Sequence, residues 1–200
     1  MNDSKIIASC EKMASDNEAE MLPVVNEDGE VVGRATRGEC HNGYKTGCKP
    51  LHPVVHLQLF NSEGEIYLQK RPEWKKIQPG KWDTAVGGHV DAGENITAAL
   101  RREVEEEIGL AGIVYEYIGC YVFESDVERE LVYVFSCVTD NKPKPAAGEL
   151  DGGAFFSKDN LHNAFNQGLL TPNFVGEYER FFGKLYNHVF KYMKCPQTTK

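Results

Sequence analysis

Short apolar runs separated by Gly, Asn, Asp and Pro dominate the first two thirds of the chain, and longer stretches of helical period take over towards its end. Residues 1–20 are polar and acidic and predict a loose N-terminal arm. Val24–Arg37 reads as a hairpin, because β-branched runs flank Asp28-Gly29, a strong two-residue turn signal. Glu39–Pro50 reads as a loop. Val54–Phe60 is expected as a strand, Asn61–Gly64 as a turn and Glu65–Arg71 as its return. Pro72–Trp82 is a loop carrying Lys75, Lys76 and Lys81, followed by a short strand over Thr84–Val90. Further strands are expected at Ile113–Phe123, Arg129–Thr139 and Phe155-Phe156. Ser157 can cap a helix over Lys158–Gln167, and Thr171-Pro172 opens a last helix over Asn173–Met193. Phe174, Tyr178, Phe181, Phe182 and Leu185 recur in that helix at a spacing that predicts core packing. Strands, a helix, strands and then helices in one chain of 200 residues predict a single domain of the α+β class, an α/β/α sandwich around a mixed sheet.

The middle helix, Asn95–Ile108 with Gly109 just beyond it as a C-terminal stop, carries the candidate chemistry. At about 100° per residue, Ile96, Leu100, Val104 and Ile108 form one apolar stripe. A solvated acidic face should lie opposite such a stripe, where Glu105 falls. Glu103 and Glu107 instead lie at its edge, one helical turn apart, and Glu106 lies just outside it. Two neighbouring carboxylates beside a core repel each other and lose hydration. A hard divalent cation removes both penalties, and oxygen ligands suit Mg²⁺ or Mn²⁺. Gly87-Gly88 and Gly93 precede the helix and permit close approach of backbone to a ligand. The lysines just upstream are either plain surface charge or partners for an anion.

Composition narrows the field. Apolar residues make up 41% and charged residues 26%, as expected of a globular chain. A formal charge of −8 argues against an extended nucleic-acid surface, yet it leaves room for a small anionic substrate held by a metal and a few focused cations. No apolar run approaches a membrane span, and the first residues hold no apolar signal core, so cytoplasmic residence is the expectation. The six cysteines form no Cys-x-x-Cys pair and are expected as free thiols; Cys40, His41, Cys48 and His52 lie close in sequence but match no zinc-finger spacing.

The stretch Gly88–Leu110 resembles the signature of the Nudix superfamily. That pattern is Gly, five residues, Glu, seven residues, then Arg-Glu-aliphatic-x-Glu-Glu-x-Gly-aliphatic, and it falls on Gly88, Glu94, Arg102, Glu103, Val104, Glu106, Glu107, Gly109 and Leu110. The resemblance implies a Nudix fold and metal-dependent water attack on a diphosphate linkage, in a nucleoside diphosphate joined to another group or a similar small molecule. It further implies that Glu103, Glu106 and Glu107 bind Mg²⁺ or Mn²⁺ and that Arg102 orients a catalytic glutamate. By the same resemblance Glu94 fastens the preceding loop to the helix, and the Gly88 carbonyl touches metal.

The flanking segments resemble one branch of the superfamily, the isopentenyl-diphosphate isomerases. Leu51–Gly64, Lys70–Val90 and Glu128–Phe135 carry the likeness. It implies a second metal set of His52, His89, Glu128 and Glu130, with His41 a looser member, and assigns Arg71 and Lys75 to the diphosphate. One position departs from the branch: Gly87 stands where the isomerases carry their catalytic cysteine. Hydrolysis is therefore the expected chemistry, with isomerase-like activity or a catalytically silent ligand-binding domain as the alternatives. His56, in the opposite phase of a strand, reads as an ordinary core or surface histidine. A homodimer contact or a role across the cleft both suit the last helix. The identity of the substrate is open, with Trp74, Trp82 and Tyr44 as candidates for stacking on a base.

Overall fold

The computed structural model of the chain describes residues 17–42, 47–75 and 77–193. The greater part of the expected arm, together with Tyr44, Lys76, Cys10 and Cys195, lies outside the described residues. An N-terminal hairpin pairs β1 (Met21–Val25) with β2 (Val31–Thr36), as the Asp-Gly turn predicts. The expected loop after it begins instead with a single helical turn, α1 (Arg37–Cys40). A reciprocal cap stabilises that turn: the Thr36 hydroxyl accepts from the Glu39 amide, and the Glu39 carboxylate accepts from the Thr36 amide.

The main sheet is mixed. Its strands are β3 (Leu51–Phe60), β4 (Ile66–Lys70), β5 (Trp82–Asp83), β6 (Val86–His89), β7 (Tyr115–Glu124), β8 (Arg129–Val138) and β9 (Gly153–Phe156). The order runs β5-β4-β3-β8-β7, with β6 also on β3 and β9 also on β4. The β3–β8 pair is parallel and the others are antiparallel. All of β3 is buried, and it extends to Leu51 rather than starting at Val54. The expected strand Thr84–Val90 is shorter, and a separate two-residue strand precedes it.

Alternation along β3 sorts the sheet into two faces. Val55, Leu57 and Leu59 pack with Ala99, Leu100, Val104 and Ile108 of α2 (Ile96–Ile108). The Asn95 side chain caps α2 by accepting from the Ala98 amide at 2.9 Å, and Gly109 stops it in the left-handed region with φ 63°. The opposite face carries α3 (Lys158–Asn166), capped by Ser157, and α4 (Pro172–Tyr192), capped by Thr171. Phe174, Phe181 and Leu185 of α4 pack there against Val54, Val132, Val134 and Ile118. The architecture is the expected α/β/α sandwich.

The aromatic stripe of α4 divides. Phe174, Phe181 and Leu185 are buried and Tyr178 packs partly against the core, but Phe182 is 51% exposed. Tyr178, Phe182, Tyr186 and Phe190 form an outward ladder, edge-on at its first step and stacked at the next two, with successive ring separations of 5.7, 6.1 and 6.1 Å. Steps of four residues carry this ladder around the helix to a second face, so the period that buries Phe181 exposes its neighbour. No described helix is long and apolar enough to cross a membrane.

Candidate functional site

Strand β6 turns successive residues to the two faces of the sheet. It contains Gly87 and Gly88 in succession, paired with His56 and Val55 of β3. A side chain at 88 points to the α2 face, where a Cβ would collide with the Glu103 carboxylate. A side chain at 87 points to the α4 face, where a Cβ would meet His56 Cδ2 and Nε2 at 3.4 and 3.5 Å. Glycine is required at 88 by the carboxylate packed against it and is merely accommodated at 87.

On the α2 face, Arg102 ties the glycine loop to the helix. Its Nε and Nη2 donate to the two Glu94 oxygens at 3.1 and 2.9 Å, and Nη2 also donates to the His89 carbonyl at 3.0 Å. Its Nη1 donates to Glu103 at 2.7 Å and to Glu106 at 3.2 Å. Glu107 accepts from the Gly87 amide at 3.1 Å. The burial pattern follows the helical wheel: Glu105 and Glu106 are exposed, whereas Glu103 and Glu107 are partly covered beside Val104 and Ile108. Burial lifts the Glu103 carboxyl to about 7 against the lowering pull of Arg102. Burial, reinforced by the Glu103 charge, lifts Glu107 to about 8. Two carboxyls held this close to neutrality are poised to gain a cation.

On the α4 face, His41, His52, His89 and Glu130 place ligand atoms within 4.8 Å of one another. They come from α1's C-terminal flank, β3, β6 and β8, and the parallel register sets His52 beside Glu130. The His52 Nδ1 lies 3.2 Å from the Pro50 carbonyl, which fixes that nitrogen as the donor and leaves Nε2 as a bare acceptor. His52 Nε2 and Glu130 Oε2 are both buried without a hydrogen-bond partner. His89 Nε2 lies 3.2 Å from His41 Nε2, and Glu128 reaches within 3.7 Å of His41. Burial lowers His52 to about 4 and, with the Arg37 charge and the other imidazoles, takes His89 well below the ordinary histidine range. Burial raises Glu130 to about 8, with Glu128 adding to it, and raises Glu128 as well. Imidazoles kept neutral by burial, the unmet Nε2 of His52 and the orphaned Oε2 of Glu130 match the needs of a divalent metal.

A family model for the NUDIX domain matches residues 50–174. The chain belongs to the Nudix family. Among relatives, the uncharacterized Nudix hydrolase YfcD of Escherichia coli K12 is 34% identical over 120 residues, covering 60% of this chain and 64% of that protein. The chain thus spans a little under two thirds of that relative's length. Isopentenyl-diphosphate Delta-isomerase 1 of Photorhabdus laumondii is 31% identical over 171 residues, covering 80% of this chain and 93% of that one. Its likeness agrees with the isomerase-like branch read from the flanking motifs. Among solved structures, DR0079 from Deinococcus radiodurans superposes with a TM-score of 0.69 at 24% identity, over 82% of this chain and 99% of that one, a likeness of fold.

The Nudix box and its flanks therefore form two clusters on opposite faces of β6. The structure gathers His41 with His52, His89 and Glu130 more tightly than its looser motif match implies. Glu128 lies at the rim of that group. Cys40, the last residue of α1, is buried and is not among the clustered ligand groups, so the Cys/His grouping read from sequence proximity is not the one that assembles. Within the box, one Arg102 nitrogen serves both Glu103 and Glu106, and the Gly87 amide serves Glu107.

Arg71 is anchored by the Ile77 carbonyl at 2.9 Å and by Asp83 at 3.2 Å. Lys75 sits with its ammonium 4.7 Å from the Trp74 ring centre, and its charge is felt by both His89 and Glu107. Trp82 packs edge-on against Phe156 at 4.9 Å.

Sequence reasoning missed a third feature, a buried polar network under α4. His56 Nδ1 lies 2.8 Å from Glu177 Oε2, Gln58 donates to Glu177 Oε1 at 2.6 Å, and the Tyr121 hydroxyl lies 3.1 Å from Glu177 and 2.9 Å from Asn173. The available signal was an acidic residue, Glu177, on the buried side of α4's apolar stripe.

Proposed function

We propose that this Nudix chain is a divalent-metal-dependent hydrolase that cleaves a diphosphate linkage in a small molecule. The supporting observation is the pair Glu103 and Glu107, held partly buried at the edge of α2's apolar stripe, with burial favouring their protonated forms. Glu103, Glu106, Glu107 and the Gly88 carbonyl are the groups that would hold Mg²⁺ or Mn²⁺. The metal, when bound, offsets the charge of the diphosphate and makes a bound water acidic. Arg102 holds Glu103 in its rotamer by a 2.7 Å bond and keeps Glu94 locked to the loop. Glu107 braces β6 through the Gly87 amide, and a carboxylate of this set takes the proton from the attacking water. Arg71 and Lys75 orient the diphosphate from the loop before β5, in a cleft that needs only a few cations on an acidic chain.

His41, His52, His89, Glu128 and Glu130 form a second divalent-metal site in this reading. The orphaned His52 Nε2 and Glu130 Oε2 support it. The isomerase relative puts prenyl diphosphates among the substrates to test. Isomerisation itself is disfavoured because Gly87 offers no thiol to exchange a proton with an alkene.

The test is a screen of nucleoside diphosphate derivatives, dinucleoside polyphosphates, coenzyme A, NADH and prenyl diphosphates with Mg²⁺ or Mn²⁺. The expected result is metal-dependent release of a phosphate-bearing product that Glu106→Gln abolishes. No turnover of any compound, with Glu106→Gln indistinguishable from the parent, refutes the hydrolase reading. A direct assay of isopentenyl to dimethylallyl diphosphate conversion is expected to be blank.

A further inference from the structure

The hydrolytic scheme leaves the His56–Glu177 pair unused. A buried ion pair is a poor way to gain stability, since apolar residues of similar volume serve as well or better. Its geometry is directional. Glu177 is fully buried, and its two oxygens are engaged by His56, Gln58 and Tyr121. His56 spends Nδ1 on that carboxylate, and among the described residues no hydrogen bond is made to its Nε2. The same edge of the ring, Cδ2 and Nε2, faces the Cα of Gly87, where a side chain would stand within van der Waals distance and glycine leaves space. His56 is buried, with 8% of its surface exposed.

We propose that His56 is a substrate-binding residue whose Nε2–H donates to a diphosphate oxygen lying over Gly87, with Glu177 as the residue that positions and charges it. This rests on the diphosphate reading above and names a further contact for it. Burial alone would keep the imidazole neutral, but the Glu177 carboxylate overrides it and raises His56 to about 9, so the donor is cationic at neutral pH. Glu130 and Asp83 also face it and act in the same direction. Arg71 acts on Glu128 and Glu130, and Lys75 on His89 and Glu107, so His56 makes a third cation around β6. An absent side chain at 87 is what lets an anion reach it. Charge-assisted hydrogen bonds of this kind contribute more than neutral ones.

Methylenediphosphonate, a diphosphate that cannot be hydrolysed, is the probe. The full chain with ¹⁵N-labelled histidine is titrated with it in Mg²⁺, and the His56 signals are assigned by their loss in His56→Gln. Saturable movement of the His56 Nε2 resonance is expected, with weaker binding of roughly 10- to 100-fold in the His56→Gln/Glu177→Gln double variant. That variant replaces the ion pair by two neutral amides and avoids stranding a buried carboxylate. In Glu177→Gln alone, His56 remains but loses its charge, and binding is expected to weaken by roughly 10-fold while circular dichroism is unchanged. Binding detected calorimetrically with the His56 Nε2 resonance unmoved overturns the proposal, as does the absence of any binding. Should His56 respond while no compound in the substrate screen turns over, the hydrolase reading fails and the anion contact stands. Turnover with an unmoved His56 and an unchanged KM in the double variant leaves the hydrolase reading and removes this one.

Discussion

The two faces of β6 reach charged sites by different routes. On the α2 face the groups of the box lie between Gly88 and Glu107, on the end of β6, the loop after it and one helix. Helical geometry alone brings Glu103 and Glu107 together, and Arg102 fastens the loop to the helix. On the α4 face the groups come from α1's flank, β3, β6, β8 and α4, and only the sheet register and the docking of α4 unite them. The first site is a local device that needs the fold mainly as a support. The second is a product of tertiary structure, and its polar atoms are held by partners far away in sequence. Local assembly leaves a trace in the periodicity of the chain, whereas distributed assembly is legible only through a motif likeness.

The largest effect that would test this contrast is Glu103→Gln. It removes a carboxylate from the box while keeping its volume and its bond to Arg102, and turnover is expected to fall by roughly 10²- to 10⁴-fold with folding intact. Parent-like turnover in that variant would break the link between the α2 face and the chemistry. Gly88→Ala follows. Its Cβ drives into the Glu103 carboxylate, so the side chain must leave its rotamer, and a loss of roughly 100-fold is expected from misplacement alone. Steady-state kinetics beside a thermal melt separates this from unfolding.

The third prediction concerns the α4 face and is read as stability. The folded state raises His56 from 6.5 to about 9, mainly through Glu177 acting against burial. The folded chain therefore binds that proton more tightly than the unfolded one. The stabilisation is complete below pH 6.5 and is lost as pH rises through 9, and it amounts to roughly 3 kcal/mol. Urea unfolding of the parent and of Glu177→Gln between pH 6 and 10 isolates it as the difference between the two curves. Curves that run parallel across this window would show that the pair is not charged. The smallest effect is expected of Gly87→Ala. Its Cβ meets His56 at an ordinary 3.4 Å, so the melting temperature should move by no more than about a degree or two. A large loss there would show that the faces are as tightly packed as each other.

The same contrast explains what the sequence disclosed. The cap at Ser157, the opening at Thr171-Pro172 and the stop at Gly109 are local devices and were legible as such, whereas Asn95, read as the first residue of its helix, is the cap before it. So was the placement of Glu103 and Glu107 at the stripe edge, which requires only the helical period. The turn α1 was missed although Thr36 and Glu39 spell its capping box, because one turn of helix between loops leaves no periodic pattern. Phe182 was assigned to the core because two interleaved stripes share the same spacing, and only the docking angle of α4 decides which is buried. The motif likeness found His52, His89, Glu128 and Glu130. It offered nothing for His56, whose strand phase says that it faces inward and says nothing of a partner on the last helix.

That partnership has a consequence for how the protein is made. Glu177 follows His56 by 121 residues. At a synthesis rate of about 5–20 residues per second, the interval between them is roughly 6 to 24 seconds. Throughout it, His56 and Gln58 can enter the sheet but have no carboxylate to meet. The nascent chain must carry a half-built polar face until α4 leaves the ribosome. The α2 face, by contrast, can close its Arg102 clamp within moments of being translated.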